Sequence, residues 1–260
     1  MAYEFIKYEK QGRIARVTIN RPEVMNALHP PANAELSAIW DDFATDPECW
    51  VAIVTGAGDK AFSAGNDLKY SAQHGMAASV ASGAGGFGGI TARFDLFKPV
   101  IAAVNGLALG GGFEIALACD IIVAADHARF GLPEPRVGLA ALAGGMQRLP
   151  RHIPPKIAMG LMLTGKHILA EEAHRLGLVN EVVPAKDLAT AAERWANEII
   201  QCSPTSVRAT KQVALLSQGM PLEEAMIKSY PLVGALFHSE DMMEGVVAFA
   251  QKRKPEWKGK

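Results

Sequence analysis

Four short apolar runs, each closed off by turn residues, constrain this chain more than any other feature. Ile14–Ile19 reads IARVTI, residues 50–55 WVAIVT, residues 99–104 PVIAAV and residues 120–125 DIIVAA. Each is strand-length, rich in β-branched residues and bounded by Gly, Asp, Asn or Pro. Between the first two lies PPANAELSAIWDDFATD, where Leu36, Ile39, Trp40 and Phe43 fall at helical spacing after a proline start. Strands alternating with helices predict an α/β fold. The chain has 260 residues and is 49% hydrophobic, so it can bury a sizeable core and is neither disordered nor fibrous. Its length predicts one or two domains.

From about Ala170 the pattern turns helical. EEAHRLGL stops at Gly177, and Asp187 is placed to cap a helix whose Leu188, Ala191, Ala192, Trp195 and Ile199 share a face. Further helices are predicted after Pro204, at Pro221 and near Ser239. Their Met, Leu, Val and Phe stripes have two readings, a helical cap on the core or a subunit interface. Residues 71–92 (SAQHGMAASVASGAGGFGGITA) form the one low-complexity stretch. They read as a loop, either a mobile one beside a site or a plain surface one.

Lys plus Arg is 26 and Asp plus Glu 27, a net charge of -1, so no nucleic-acid partner is expected. Cys49, Cys119 and Cys202 are odd in number and far apart. They offer no disulfide framework and fit a reducing, cytoplasmic compartment. The first twenty residues mix acids and bases with no apolar run, which predicts no secretory or transit leader. Residues 70–92 carry no charge but hold six glycines and three serines, too little apolar content for a membrane span.

Several motifs fail. Gly83, Gly85 and Gly88 spell GxGxxG, but no strand precedes them and no acid lies near position 108, so a dinucleotide turn is rejected in favour of a loop. There is no Walker loop, GxSxG elbow or HExxH, and the scattered histidines give no metal site.

Residues 105–119, NGLALGGGFEIALAC, carry the strongest chemical signal. Three glycines let the backbone approach a ligand closely, and a helix N-terminus adds partial positive charge where a carbonyl oxygen could become an oxyanion. Glu114 sits in the first turn among Phe113, Ile115, Ala116 and Leu117. It either complements the helix dipole or serves as a pocket acid. A second acid, Glu134, follows in ARFGLPE. About eight helical residues lead out by roughly 12 Å and about five strand residues return by roughly 16 Å, so both carboxyls can face one pocket. A third segment, AFSAGNDLK, allows a sharp bend at Gly65 that presents the next amide; by itself this is ordinary turn chemistry.

NRPEVMNAL, AFSAGNDLK, KPVIAAVNGLALGGGFEIALACDIIVAAD, ARFGLPE and AFAQKRKPEWKG occur in that order along the chain. In this the sequence resembles the enoyl-CoA hydratase/isomerase (crotonase) family over essentially its whole length. The resemblance implies a spiral of ββα units, residues 1–199, carrying the acyl-CoA site. It also implies a helical trimerisation region, residues 200–260, giving a homotrimer or a hexamer. It implies an acyl-coenzyme A thioester as substrate and no metal or redox cofactor, coenzyme A being part of the substrate. The amides of Asn66 and Gly111 would polarise the thioester carbonyl. Glu114 and Glu134 would match the two hydratase glutamates, with Glu114 the base and Glu134 the acid in our assignment. Ala27, Leu28 and the stretch Ala64, Gly65, Asp67, Leu68 and Lys69 would line the coenzyme path. Phe249 and Lys252 would reach a neighbouring subunit's ligand, against the reading of 252–254 as a solvated basic tail.

Keeping both carboxyls favours reversible hydration of a 2-enoyl-CoA over isomerisation or hydrolysis, which use one. An RNA-binding role, known for some relatives, is disfavoured by the near-neutral charge and the lack of a basic-aromatic stripe. Two departures lie beside the acyl pocket: Leu142 stands where short-chain hydratases have a glycine, and Pro135 directly follows Glu134. GGFGGITARF, RHIPPKIAM and HSEDMMEG resemble the carnitinyl-CoA dehydratase branch of the family.

Overall fold

The computed structural model describes residues 3–75 and 83–260. Within them, ten strands form two sheets. The larger contains β1 (Ile6–Gln11), β2 (Ile14–Ile19), β3 (Val51–Gly56), β5 (Val100–Val104), β7 (Ile121–Ala125) and β10 (Glu181–Val183), in that order. The smaller contains β4 (Ala61–Ser63), β6 (Leu107–Leu109), β8 (Arg129–Gly131) and β9 (His167–Leu169). β1 and β2 form an antiparallel hairpin, and β2, β3, β5, β7 and β10 then run parallel. β5 is buried at every residue, as expected of a central parallel strand covered on both faces.

Three times the chain crosses from the large sheet to the small one, at β3–β4, β5–β6 and β7–β8. After the first two crossings helical structure leads back to the large sheet, and after the third the chain adds β9 to the small sheet before a helix leads back to β10; this is the ββα spiral implied by the resemblance. The crossings are tight enough to exclude side chains. A Cβ on Gly106 would lie 2.3 Å from the carbonyl oxygen of Lys60. Asn26 and Asn105 tie the β3–β4 turn, donating to Ala61 O at 2.7 Å and to Gly56 O at 2.9 Å.

The predicted first helix is Pro30–Thr45, and it buries Leu36, Ile39, Trp40 and Phe43. The low-complexity stretch is only partly a loop. Residues 71–74 finish the helix Leu68–His74, and residues 76–82 lie outside the described residues. Residues 87–90 pack inward: Trp40 Nε1 donates to Gly88 O at 2.9 Å and Asn33 Oδ1 accepts from Gly88 N at 2.7 Å. Gly88 lies so close to Ile115 that a Cβ would come within 2.5 Å of its Cδ1. Gly88, expected in a loop, here admits close packing.

The helix Leu188–Ile200 packs on the large sheet through Leu188, Ala191, Ala192 and Ala196. Asp187 occupies its N-cap position but caps nothing through its side chain. It closes a 3-10 turn, Ala185–Asp187, that already enters the helix with helical backbone angles, so the capping expectation fails there. Ser203 and Ser239 do cap their helices, Pro204–Leu216 and Glu240–Ala250. The C-terminal helices leave a broad apolar surface, with Leu222, Met226, Ile227 and Phe249 each more than three-quarters exposed. Among the described residues no helix is long and apolar enough to cross a membrane.

Candidate active site

The glycine run begins the helix Gly111–Ala118 and is packed on three sides. A Cβ on Gly112 would lie 2.0 Å from Ser63 O, one on Gly111 2.4 Å from the Phe87 ring, and one on Gly110 3.0 Å from a Glu134 carboxyl oxygen. Gly110 also has a positive φ of 53°. Nothing but glycine fits these positions. Gly65, at φ 88°, is pressed against the same helix start: its Cβ would stand 2.8 Å from the amide nitrogen of Gly111. Residues 65–66 and the first amide of the helix are therefore neighbours. Leu28 fixes the 65–67 segment, donating to Gly65 O at 2.7 Å and accepting from Asp67 N at 2.9 Å. The first amides of a helix have no acceptor within it, so the amide of Gly111 is a donor with no helical partner.

Glu114 projects from the first turn into the interior and is 3% exposed. Its Oε1 accepts a 2.8 Å hydrogen bond from the amide of Gly145. Burial raises its pKa to about 7, and the nearby Glu134 carboxyl adds to the rise. The amides of Gly145 and Ala143 and the charge of Arg148 oppose it. Glu134 begins the 3-10 turn Glu134–Val137 after β8 and is half-buried. Burial also raises its pKa, and its buried Oε2 accepts no hydrogen bond from the described residues.

Asn66, Gly111, Glu114 and Glu134 line one cavity of about 1090 Å³. The helix out and the strand back bring the two carboxyls to it, as the chain path predicted. Such a cavity can hold a polarised carbonyl beside paired acid–base groups. Among the described residues no cluster of His, Cys, Asp or Glu could hold a metal ion.

The family model described as "Enoyl-CoA hydratase/isomerase" matches residues 9–260. The chain belongs to that family. It is 44% identical to a protein named carnitinyl-CoA dehydratase from Salmonella arizonae, over 98% of this chain and 99% of that one. The protein of the same name from Escherichia coli K12 is also 44% identical, over 99% of each chain. Among solved structures, the enoyl-CoA hydratase of Mycobacterium tuberculosis H37Rv matches with a TM-score of 0.92 at 41% identity, over 98% of this chain and 99% of that one. The enoyl-CoA hydratase of Bacillus anthracis gives 0.91 at 35% identity, over 99% and 100%. The crotonase fold and its mixed sheets agree with these neighbours.

Of the residues the family resemblance singled out, Ala64, Leu68 and Leu142 also line the cavity. Ala27 and Leu28 are buried and do not line it, and Gly65 shapes the turn. Asp67 caps the helix Leu68–His74 and pairs with Arg21 at 3.1 Å. Lys69 is exposed, and neither it, Phe249 nor Lys252 lines the cavity of its own chain. Leu215 and Gln218, from the C-terminal region, do line it. Gly145, Arg148 and Phe87 escaped the sequence reading. The Gly144–Gly145 pair, opening the helix Gly145–His152, was the available signal, a second helix start aimed at the first.

Proposed function

We propose that this chain is an enoyl-CoA hydratase, a hydro-lyase that adds water reversibly and syn across the double bond of a 2-enoyl-CoA thioester. The observation that carries the reading is one cavity lined by both Glu114 and Glu134 together with Asn66 and Gly111. The amides of Asn66 and Gly111 hold the thioester oxygen and stabilise the negative charge that develops on it. Water is held between the carboxyls. One carboxylate takes its proton as the oxygen bonds to Cβ, and the enolate then collects a proton at Cα from the other carboxyl. Glu114, near neutrality in its pKa, suits the base that must both accept and return a proton. The two groups share protons, so the pair and not either residue sets the pH profile.

In this reading residues 1–199 form the catalytic spiral and Ala27, Leu28, Gly65, Asp67 and Lys69 support the coenzyme path. Residues 200–260 assemble the chain into a trimer or hexamer, with Phe249 and Lys252 reaching the neighbouring subunit's ligand. The exposed Leu222, Met226, Ile227 and Phe249 support assembly. We assign a cytoplasmic location. A second reading, dehydration of carnitinyl-CoA, is favoured by the names of the 44% identical relatives. An isomerase would need only one of the two carboxyls.

Crotonyl-CoA incubated with the purified protein tests the reading through loss of the conjugated enoyl-thioester absorbance, with Glu134→Gln alongside. Hydration is expected for the parent and not for the variant. A variant as active as the parent would reject the two-carboxyl mechanism.

A further inference from the structure

Asn66, whose amide is one of the two proposed to hold the thioester oxygen, sits opposite Leu28 in a parallel bridge. Leu28 N donates to Gly65 O at 2.7 Å, and Leu28 O accepts from Asp67 N at 2.9 Å. Gly65 O and the Asn66 N–H belong to one trans peptide, so they point in opposite directions. With Gly65 O turned to Leu28, the Asn66 N–H faces away from it. Ser63 Oγ steadies the same turn, accepting from Gly65 N at 3.1 Å and donating to Asn26 O at 2.8 Å.

Behind Leu28 stands a fixed positive charge. Nη1 of Arg21 donates to Ala27 O and, at 3.1 Å, to Oδ2 of Asp67. Asp67 is held at its other oxygen, Oδ1, by Tyr70 N at 3.1 Å, and so keeps the guanidinium in place. Ala27 O and the Leu28 N–H are again two ends of one peptide. A continuous chain of hydrogen bonds thus runs from the guanidinium through the 27–28 peptide to the 65–66 peptide, and it ends on the Asn66 N–H. Each peptide accepts on its oxygen from the positive side and donates from its nitrogen on the far side, so polarisation adds along the chain. The Arg21 and Asp67 side chains are 12% and 10% exposed, and the guanidinium lies 5.7 Å from the Phe5 ring centre. Shielding from water strengthens the field of the charge on these peptides. Neither Arg21 nor Asp67 lines the cavity.

We infer that Arg21 is a positioning residue of the oxyanion site, aiming and polarising the Asn66 amide through two peptide units without touching the substrate. The inference rests on the assignment of that amide under the hydratase reading and adds the side chain that governs it. Negative charge develops at the thioester oxygen, and a donor polarised and aimed before the reaction stabilises it more than a plain amide does. The Gly111 amide draws its polarity instead from the helix it begins.

The test uses the full-length protein and para-dimethylaminocinnamoyl-CoA, a conjugated acyl-CoA whose absorbance moves to the red when its thioester oxygen is hydrogen-bonded. At saturation the shift reports polarisation and not affinity. Arg21→Met should lose at least about a third of the parent's shift and lower kcat for crotonyl-CoA about tenfold, with KM within about threefold. Arg21→Lys keeps the charge and should recover part of both. Because Arg21→Met leaves Asp67 without its partner, the double variant Arg21→Met/Asp67→Asn, which strands no charge, is measured beside it and should show the same loss. A full shift at saturation in either methionine variant, a kcat within about twofold of the parent's, or a lysine variant no better than methionine overturns the inference. A parent that leaves the bound probe unshifted overturns it together with the oxyanion assignment. A parent that shifts the probe but hydrates no enoyl-CoA overturns the hydratase reading alone, and the probe's shift in the variants then decides the role of Arg21.

Discussion

The amide of Gly145 donates to Oε1 of Glu114 at 2.8 Å, joining two helix starts 31 residues apart. Each helix start begins with glycine, and the bond crosses the wall of the cavity. The carboxyl oxygen is thus held from the backbone, which fixes the rotamer of Glu114 without a second titrating side chain.

Gly145→Ala should therefore injure catalysis more than folding. The new methyl would sit 3.0 Å from Glu114 Oε1, Ala141 Cβ and Leu132 Cδ1. A displacement of the carboxyl by a fraction of an ångström is expected to lower kcat by as much as about a hundredfold. Overpacking should cost about 1–3 kcal/mol. Steady-state kinetics beside a denaturant titration separates the two; a kcat within twofold of the parent would break the link drawn between this amide and Glu114.

Glu114 makes stability depend on pH in a definite sense. Its folded pKa, about 7, lies above the ordinary 4.5, so the folded state holds a proton that the unfolded state releases. The burden is absent below about pH 4.5, grows from there to about 7, and is complete above it. At about 1.4 kcal/mol per pK unit it amounts to roughly 3 kcal/mol. Glu114→Gln should consequently gain on the parent as pH rises through that window, measured by urea unfolding at several pH values. A constant difference would remove Glu114 as the source.

Arg148 acts on the same carboxyl from outside. Its guanidinium donates to Thr91 O at 2.9 Å and its charge holds the Glu114 pKa down against burial. Arg148→Met should raise that pKa further and shift the corresponding limb of the pH–rate profile upward. A fall in kcat with an unmoved profile would assign Arg148 a packing role alone.

The exposed C-terminal helices make a prediction about mass. Phe249 is 87% exposed at the end of the helix Glu240–Ala250. If these helices assemble the chain, Phe249→Glu should lower the mass measured by light scattering. An unchanged mass would detach Phe249 from any assembly.

Much of this architecture was legible because it rests on local rules. β-Branched runs bounded by turn residues became β2, β3, β5 and β7, and proline and serine starts marked four helices. The pairing of Glu114 with Glu134 followed from the lengths of one helix and one strand. What stayed hidden depends on contacts distant in sequence. Gly88 reads as part of a loop because nothing local announces that Ile115 packs against it. Asp187 reads as a cap because the 3-10 turn it closes, Ala185–Asp187, is invisible in its spacing. The Gly145 amide escaped because its one local sign, the Gly144–Gly145 pair, does not say which distant carboxyl accepts from it.

The crowding at Gly110, Gly111 and Gly112 has a consequence for how such a site tolerates change. Both donors proposed to hold the thioester oxygen are main-chain amides, and that of Gly111 lies where the Phe87 ring refuses any side chain. Almost no substitution outside the glycines themselves can delete them, whereas each carboxyl is one codon from loss. Activation of the thioester is thus the durable half of the apparatus, and the proton-handling half is the part open to drift. A saturation library scored for acyl-CoA binding and for turnover should reveal that asymmetry as many variants that still bind and few that still react.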